Sequence, residues 1–148
     1  MSESLKSFDA GINMSVKDIC ETVKRINGEY DGITISGGEP FLQIEELAEL
    51  IEILSSVCTD DIIVYTGYTL EQLNKEHSVA VKRIINNVSV IIDGEYIDEL
   101  NDGVGIRGSS NQKVHIFKNR ERHEDISYKK RQVQLIEHKK GMTIIGIP

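Results

Sequence analysis

The sequence predicts an α/β fold with a parallel sheet, and two patterns support this class. Three β-rich runs, each followed by a glycine turn, alternate with helical segments along the chain up to Gly94. Units of this kind build parallel sheets, because each helix returns the chain to the start of the next strand. The strands are almost continuously apolar, as expected for a sheet that is covered on both faces.

The first helix is predicted in "MSVKDICETVKRIN", where apolar residues recur at helical spacing. Ser15 is the expected N-cap, with Asp18 as a capping-box partner three residues later. Asn27 and Gly28 are expected to end this helix. The following run "GITIS" predicts a strand, which the pair Gly37-Gly38 ends.

The next two units follow the same order. "LQIEELAELIEILSSVC" gives the clearest amphipathic helix, with its leucines and isoleucines on one side and four glutamates on the other. "DIIVYTG" predicts the second strand, and "TLEQLNKE", with Thr69 as N-cap, and "VAVKRIIN" predict helix after it. "VSVIIDG" predicts the third strand.

The pattern changes after Gly94. "EYIDELNDGVGIRGSSNQ" predicts mostly loop with one short helix, "KVHIF" a strand, and "KNRERHEDISYKK" a charged, exposed segment. "RQVQLIEHKKGMTIIGIP" predicts a terminal β-hairpin that turns at Lys139-Lys140-Gly141. A chain of 148 residues suits one domain with a single core, so residues 1–148 are assigned to one domain.

Composition and charge exclude several classes of protein. The net charge of −7 argues against nucleic-acid binding. No apolar run approaches the roughly 20 residues of a membrane span, and the N-terminus lacks a secretory pattern, so we expect a cytoplasmic protein. Residues 113–140 carry nine Lys/Arg and four Asp/Glu, a local charge of +5 that leaves −12 for the remainder. This basic segment is expected to be a solvated surface, or alternatively a docking face for an anionic partner.

The two cysteines, Cys20 and Cys58, are interpreted as buried structural thiols. They stand 38 positions apart, both on apolar helical stripes, and neither has a second cysteine at metal-ligand spacing. The nucleotide-binding patterns G-x-G-x-x-G and G-x-x-x-x-G-K-[ST] are absent. The four histidines are scattered and give no convincing hydrolase triad.

The strand ends are the best candidates for a binding site, since ligands of parallel sheets gather at the carboxyl ends of strands. Each feature also has a structural reading, as a tight turn or a helix cap. Glu39 and Asp93 could pair with a cationic ligand, and Pro40 fixes the exit into the next helix. The candidate binding residues are Ser36, Gly37, Gly38, Glu39, Pro40, Thr66 and Asp93. The polar cluster from Arg107 to Gln112 is interpreted as a hydrogen-bonded turn or as a ligand or partner loop.

Five segments in order, "GITISGGEPF", "VYTGYTLEQL", "VSVIIDGEYIDEL", "GIRGSSNQ" and "IIGIP", together resemble the activating proteins of anaerobic ribonucleoside-triphosphate reductase. This is a radical S-adenosylmethionine family. The resemblance implies a partial (β/α) barrel and a glycyl-radical reductase as partner. It also implies that Gly37, Gly38, Glu39 and Pro40 border the methionine amino group of S-adenosylmethionine. Ser36 would lie beside them, and Thr66 and Asp93 would line the same cavity.

The family also implies a 4Fe–4S cluster held by three cysteines in C-x-x-x-C-x-x-C, because cysteine thiolates are the ligands of such clusters. This motif is absent here, and Cys20 and Cys58 cannot replace it. We therefore expect a chain that starts after the first barrel strand and the cluster loop, and that generates no radical alone. The alternative is a non-catalytic domain that binds S-adenosylmethionine or the reductase. A missing first strand would leave a sheet edge and apolar surface exposed, so we expect a chain that self-associates, aggregates or needs a partner.

Overall fold

The computed structural model is a four-stranded mixed sheet with helices packed against it and a separate C-terminal hairpin. It describes residues 11–26, 31–76, 78–131, 134–138 and 141–145. The strands are β1 (Ile33–Ile35), β2 (Ile62–Tyr65), β3 (Val90–Asp93), β4 (Lys113–Ile116), β5 (Gln134–His138) and β6 (Gly141–Ile145). The α-helices are α1 (Val16–Arg25), α2 (Ile44–Val57), α3 (Leu70–Glu76), α4 (Ser78–Asn87) and α5 (Arg120–Tyr128). Two 3₁₀-helices cover Pro40–Gln43 and Asp98–Leu100.

The sheet order is β1-β2-β3-β4. Strands β1, β2 and β3 are parallel, whereas β4 runs antiparallel to β3. The α/β class, the parallel strands and the terminal β5–β6 hairpin are therefore confirmed. The antiparallel β4 makes the sheet mixed rather than wholly parallel. The partial barrel, a strand preceding β1 and the single-domain assignment stay predictions. Residues 139–140 of the hairpin turn and the helix end at Asn27-Gly28 lie outside the described residues.

The predicted helix starts are confirmed by their caps. The Asp18 N–H donates to Ser15 Oγ, and that hydroxyl donates to the Asp18 carboxylate. At Thr69, the backbone N–H and the hydroxyl both donate to Gln72 Oε1, and the Gln72 N–H donates to Thr69 Oγ1. These reciprocal bonds satisfy N–H groups that a helix start leaves without an intrahelical partner.

The apolar core lies between the sheet and helices α1 to α4. Every second residue of β2 belongs to it, and Ile62 and Val64 are fully buried. Helices α2 and α4 contribute further residues, such as Ile51 and Ile84. On the outer side of these helices, Arg83 of α4 donates to Glu45 and Glu52 of α2 at 2.8–2.9 Å. The hydrogen bonds from Arg83 lower the pKa of the Glu52 carboxyl.

The segment "KNRERHEDISYKK" was expected to be exposed, and this is wrong for part of it. Residues Arg120–Tyr128 form α5, and His123 is only 1% exposed. His123 Nε2 lies 2.7 Å from Asp61 Oδ1, and Arg122 lies 3.0 Å from the other oxygen of Asp61. The buried side of this helix is polar, so hydrophobic periodicity could not reveal it.

The loop before β4 packs tightly against the end of α5. The Gly105 N–H donates to the Lys129 carbonyl at 2.7 Å, and Val104 forms an isolated β-bridge with Lys130. Gly105 has φ +64, and a Cβ there would overlap the Ser127 carbonyl. Glycine is therefore required at this position both for its backbone conformation and for its lack of a side chain.

Candidate functional site

The turn after β1 has a backbone that glycine alone adopts readily. Gly37 and Gly38 have φ values of +89° and +53°, in the left-handed region. Both are exposed, as is Ser36. Pro40 opens the short 3₁₀-helix that follows, where its fixed φ and missing N–H cost little. The turn thus presents a run of open backbone groups at the carboxyl end of the sheet.

Glu39 connects this turn to the next strand end. Its Oε1 accepts hydrogen bonds from the Phe41 N–H at 3.0 Å and from the Thr66 hydroxyl at 2.8 Å. Its Oε2 accepts the Gly67 N–H at 2.7 Å. A carboxylate has about four acceptor positions, so three of them serve the protein itself. Glu39 therefore clamps the two turns together, and the backbone of residues 36–38 beside it is exposed.

The hydrogen bonds to Glu39 fix the positions of Thr66 and Gly67. Thr66 is 4% exposed, and its hydroxyl also accepts the Tyr68 N–H at 3.1 Å. A Cβ on Gly67 would lie 3.3 Å from Glu39 Oε2, which is tighter than ordinary packing. The Thr66 N–H donates to the Ile92 carbonyl at 3.0 Å. The second strand end is thus held by the first and by β3.

The Asp93 carboxylate contacts α3 and β4. Its Oδ2 accepts the Leu70 N–H at 2.7 Å at the start of α3, and the same oxygen lies 3.0 Å from His115 Nε2 of β4. No hydrogen bond within the described residues joins Asp93 to Glu39 or Thr66. The structure therefore brings together Ser36 to Pro40 and Thr66, while the Asp93 carboxylate engages α3 and β4.

The loop after β3 is organised by Gln112, which the sequence did not single out by itself. Gln112 Oε1 accepts the Gly108 and Ser109 N–H groups, and its amide donates to the Gly94 carbonyl at 2.7 Å. Arg107 pairs with Asp102 at 2.5 Å. The interpretation of Arg107–Gln112 as a hydrogen-bonded turn is confirmed, and its role as a ligand or partner loop stays a prediction.

Tyr65, at the end of β2, is a second residue that the sequence did not single out. Its hydroxyl donates to the Ile106 carbonyl at 2.5 Å and so ties the same loop to the sheet. Burial raises the pKa of the Tyr65 phenol, against a smaller opposing effect of the Arg131 charge. Its only early signal was an aromatic residue directly before a strand-end turn.

A cavity with a mixed apolar and polar lining lies beside the clamp. It has a volume of about 220 Å³, and its lining residues are Phe41, Leu42, Ile44, Tyr68, Gln72, Leu73 and Glu76. Leu42 and Tyr68 are 53% and 38% exposed, so this cavity opens to the surface. The exposed turn after β1 therefore lies close to a surface cavity that offers both apolar and polar side chains.

Comparison with known proteins identifies the family. The model of the 4Fe-4S single cluster domain family matches residues 1–115. The anaerobic ribonucleoside-triphosphate reductase-activating protein of Haemophilus influenzae is 34% identical over 119 residues, which are 76% of this chain and 74% of that protein. The chain belongs to this family of activating proteins.

Two further members of the family align over a shorter stretch. The activating proteins of Salmonella typhi and Escherichia coli are 38% and 36% identical over 88 residues, which are 57% of this chain and 54% of each relative. No solved structure matches the chain. Within the described residues, no helix is long and apolar enough to cross a membrane.

The cysteines do not fit the cluster that the family name implies. The chain has two, and the described residues contain no group of three or more His, Cys, Asp or Glu side chains that could hold a metal ion. Cys20 is 4% exposed in the apolar core, and burial raises the pKa of its thiol. A raised pKa disfavours the thiolate that binds iron. Residues 1–148 therefore do not supply the three thiolates of a 4Fe–4S site.

Proposed function

We propose that the chain is a radical S-adenosylmethionine activating protein whose partner is an anaerobic ribonucleotide reductase. The membership in the family of activating proteins carries this proposal. The turn from Ser36 to Pro40 is assigned to the methionine amino group of S-adenosylmethionine. Its open carbonyls suit an ammonium ion, and the Glu39 clamp keeps the turn rigid before a ligand arrives.

The residues of this chain act on the ligand by binding and orientation. Gly37 and Gly38 allow the ligand to approach the backbone, and Thr66 holds Glu39 in place. Asp93 was expected to line the same cavity, but its carboxylate is bonded to α3. A contact between Asp93 and S-adenosylmethionine therefore stays a prediction to be tested. In a partial barrel, the turns after β1 and β2 would lie at the same end of the barrel.

The proposal assigns no reaction of a 4Fe–4S cluster to residues 1–148, because the three thiolates that would hold the cluster are absent. We propose that this chain by itself neither holds a 4Fe–4S cluster nor cleaves S-adenosylmethionine. Anaerobic reconstitution with iron and sulfide, followed by iron counting and electron paramagnetic resonance, tests this. A stoichiometric 4Fe–4S signal would refute it, and no signal above that of a Cys20→Ser, Cys58→Ser variant would support it.

The alternative is a non-catalytic domain that binds S-adenosylmethionine or the reductase, and the cysteine count favours it for the chain as given. Calorimetry with S-adenosylmethionine distinguishes the two. Without a cluster the ligand lacks its two bonds to iron, so an activating protein that needs the cluster should bind it weakly. Tight binding would indicate a domain specialised for binding alone.

The partner and cellular setting complete the proposal. We infer a cytoplasmic protein that meets the reductase there, and we expect self-association through the free edge of β1, which has no strand beyond it in the described sheet. Sedimentation of the chain with and without the anaerobic reductase tests both. A monomer that forms no complex with the reductase would contradict both expectations.

A further inference from the structure

Helix α5 is attached to the sheet without a buried apolar side chain among those that the structure describes. Its buried side chains are His123 and Ser127, whereas Ile126 and Tyr128 are exposed. Helix α2, by contrast, buries five apolar residues. Because the burial of apolar side chains is the main contribution that holds a helix against a sheet, α5 is held much less firmly than α2.

The anchor at the start of α5 is a single carboxylate. Asp61, directly before β2, lies 2.7 Å from His123 Nε2 through one oxygen and 3.0 Å from Arg122 through the other. Asp61 and His123 are both buried, and His123 Nδ1 has no hydrogen-bond partner within the described residues. A buried carboxylate and an unpartnered ring nitrogen both lose hydration, and this cost offsets much of what the two contacts contribute.

The turn into α5 adds little to this anchor. Asn119 has φ +53°, in the left-handed region, and its side chain makes no N-cap hydrogen bond to α5. Its side-chain amide donates instead to Ser89 Oγ at 3.3 Å, which is long for a hydrogen bond. The helix thus begins at a turn that can act as a hinge, and Asp61 is the firm contact beyond it.

The other end of α5 is joined to the loop after β3. Two backbone hydrogen bonds and one β-bridge connect residues 103–105 of the loop to residues 129–131 after the helix. Gly105 also lies so close to the Ser127 carbonyl that a Cβ has no room there. The helix is therefore connected more tightly to this loop than to the sheet, so the two should move together.

Helix α5 thereby connects the two ends of β2. Asp61 lies at the start of this strand, and Tyr65 at its end donates to the Ile106 carbonyl of the same loop. The backbone advances roughly 13 Å from Asp61 to Tyr65 in a strand. From His123 to Lys129 it advances roughly 9 Å in a helix, which is a comparable span. A change at the anchor therefore reaches a loop at the carboxyl end of the sheet, where the candidate site lies.

We propose that α5 is a strap that undocks from the sheet as one unit while the core stays folded, and that residues 103–105 undock with it. When docked, the strap holds the loop against the end of β2. When undocked, it frees the loop beside the turns after β1 and β2, and the hydration of Asp61 and His123 offsets the contacts that are lost. The proposal requires no ligand, cluster or reductase, so its outcome is separate from that of the proposed function.

Native-state hydrogen exchange of the full chain, followed by ¹H–¹⁵N NMR, tests the strap. After correction for intrinsic rates, the amides of Glu124 and Ser127 should exchange within about threefold of those of Gly105 and Arg131. All four should exchange at least about 30-fold faster than the amide of Thr66, which donates to β3. Exchange of α5 as slow as that of Thr66, or a separate rate for Gly105 and Arg131, would overturn the proposal.

Two arginines on α5 give a matched pair of variants. Arg122→Gln removes the contact with Asp61 and should speed exchange of the whole strap about three- to tenfold. Arg120→Gln removes only the surface pair with Glu124 and should change that exchange by less than about twofold. Asp61→Asn should speed it about tenfold or more, and continued protection of the Thr66 amide shows that this variant is folded. Equal rates in Arg122→Gln and Arg120→Gln would also overturn the proposal.

Discussion

The Glu39 clamp gives the sharpest prediction about this molecule. In Glu39→Gln, the amide oxygen can still accept from the Phe41 N–H and the Thr66 hydroxyl. The new NH₂ group then faces the Gly67 N–H, which donates to Oε2 at 2.7 Å in the parent chain. One charge-assisted hydrogen bond is lost and two donors are placed opposite each other. The turn after β2 should therefore loosen from the turn after β1.

The magnitude follows from that loss. A hydrogen bond to a charged group contributes about 1.5–3 kcal/mol when shielded, and Glu39 is half-buried, so we expect about 1–2 kcal/mol less unfolding free energy. For a chain of this size that corresponds to a fall of about 2–8 °C in melting temperature. Thermal unfolding followed by circular dichroism measures it. Glu46→Gln, on the exposed face of α2, is the control and should change stability by less than about 0.5 kcal/mol.

A double-mutant cycle makes the prediction specific to the clamp. Thr66→Val removes the hydroxyl that donates to Glu39, so the effects of Glu39→Gln and Thr66→Val should not add, and their coupling should reach about 0.5–1 kcal/mol. If Glu39→Gln is as stable as Glu46→Gln, or if the two effects are strictly additive, the carboxylate is not the connection described above.

Three further outcomes follow from the structure. Gly105→Ala should lower the unfolding free energy by at least about 2 kcal/mol, measured by urea unfolding. Gly103 also has a positive φ but no neighbouring atom near its Cβ position, so Gly103→Ala should lower it by about 1 kcal/mol. Equal losses in the two variants would rule out the overlap with α5. Cys20, with its raised pKa and buried position, should react with iodoacetamide only on unfolding, whereas half-buried Cys58 should be labelled first, as mass spectrometry can show. Burial raises the folded-state pKa of Tyr65 above that of a free phenol, so its contribution to stability is complete below the pKa of the unfolded chain and is lost as the pH rises through the folded-state pKa. Tyr65→Phe should flatten this alkaline loss, and an unchanged pH profile would contradict the burial argument.

Features encoded by neighbouring residues were predictable from the sequence. The caps at Ser15 and Thr69 follow from residues three positions apart, and each is confirmed by its hydrogen bonds. The apolar stripe of α2 and the glycine turn at Gly37-Gly38 are equally local. The strand ends could therefore be placed, and with them the turn that includes Glu39.

Features that depend on distant partners could not be predicted in this way. Glu39 meets Thr66 across 27 positions, and His123 meets Asp61 across 62. An isolated acid or histidine gives no sign of such a partner in a single sequence. The contacts of Asp93 with α3 and β4 are of the same kind, because a strand-end acid can turn toward either face of the sheet. These contacts decide which of the candidate residues remain open to a ligand.

The buried Tyr65 hydroxyl also gives the protein an optical reporter of its own. The chain has no tryptophan and five tyrosines, so its near-ultraviolet absorbance comes mainly from phenols. Among the described residues, the pKa is raised for Tyr65 through burial and for Tyr96 through its hydrogen bond to Asp98. Both are bonded within the loop that follows β3. The ionisation of Tyr65 in an alkaline absorbance titration therefore records whether that loop contacts the sheet, without any label.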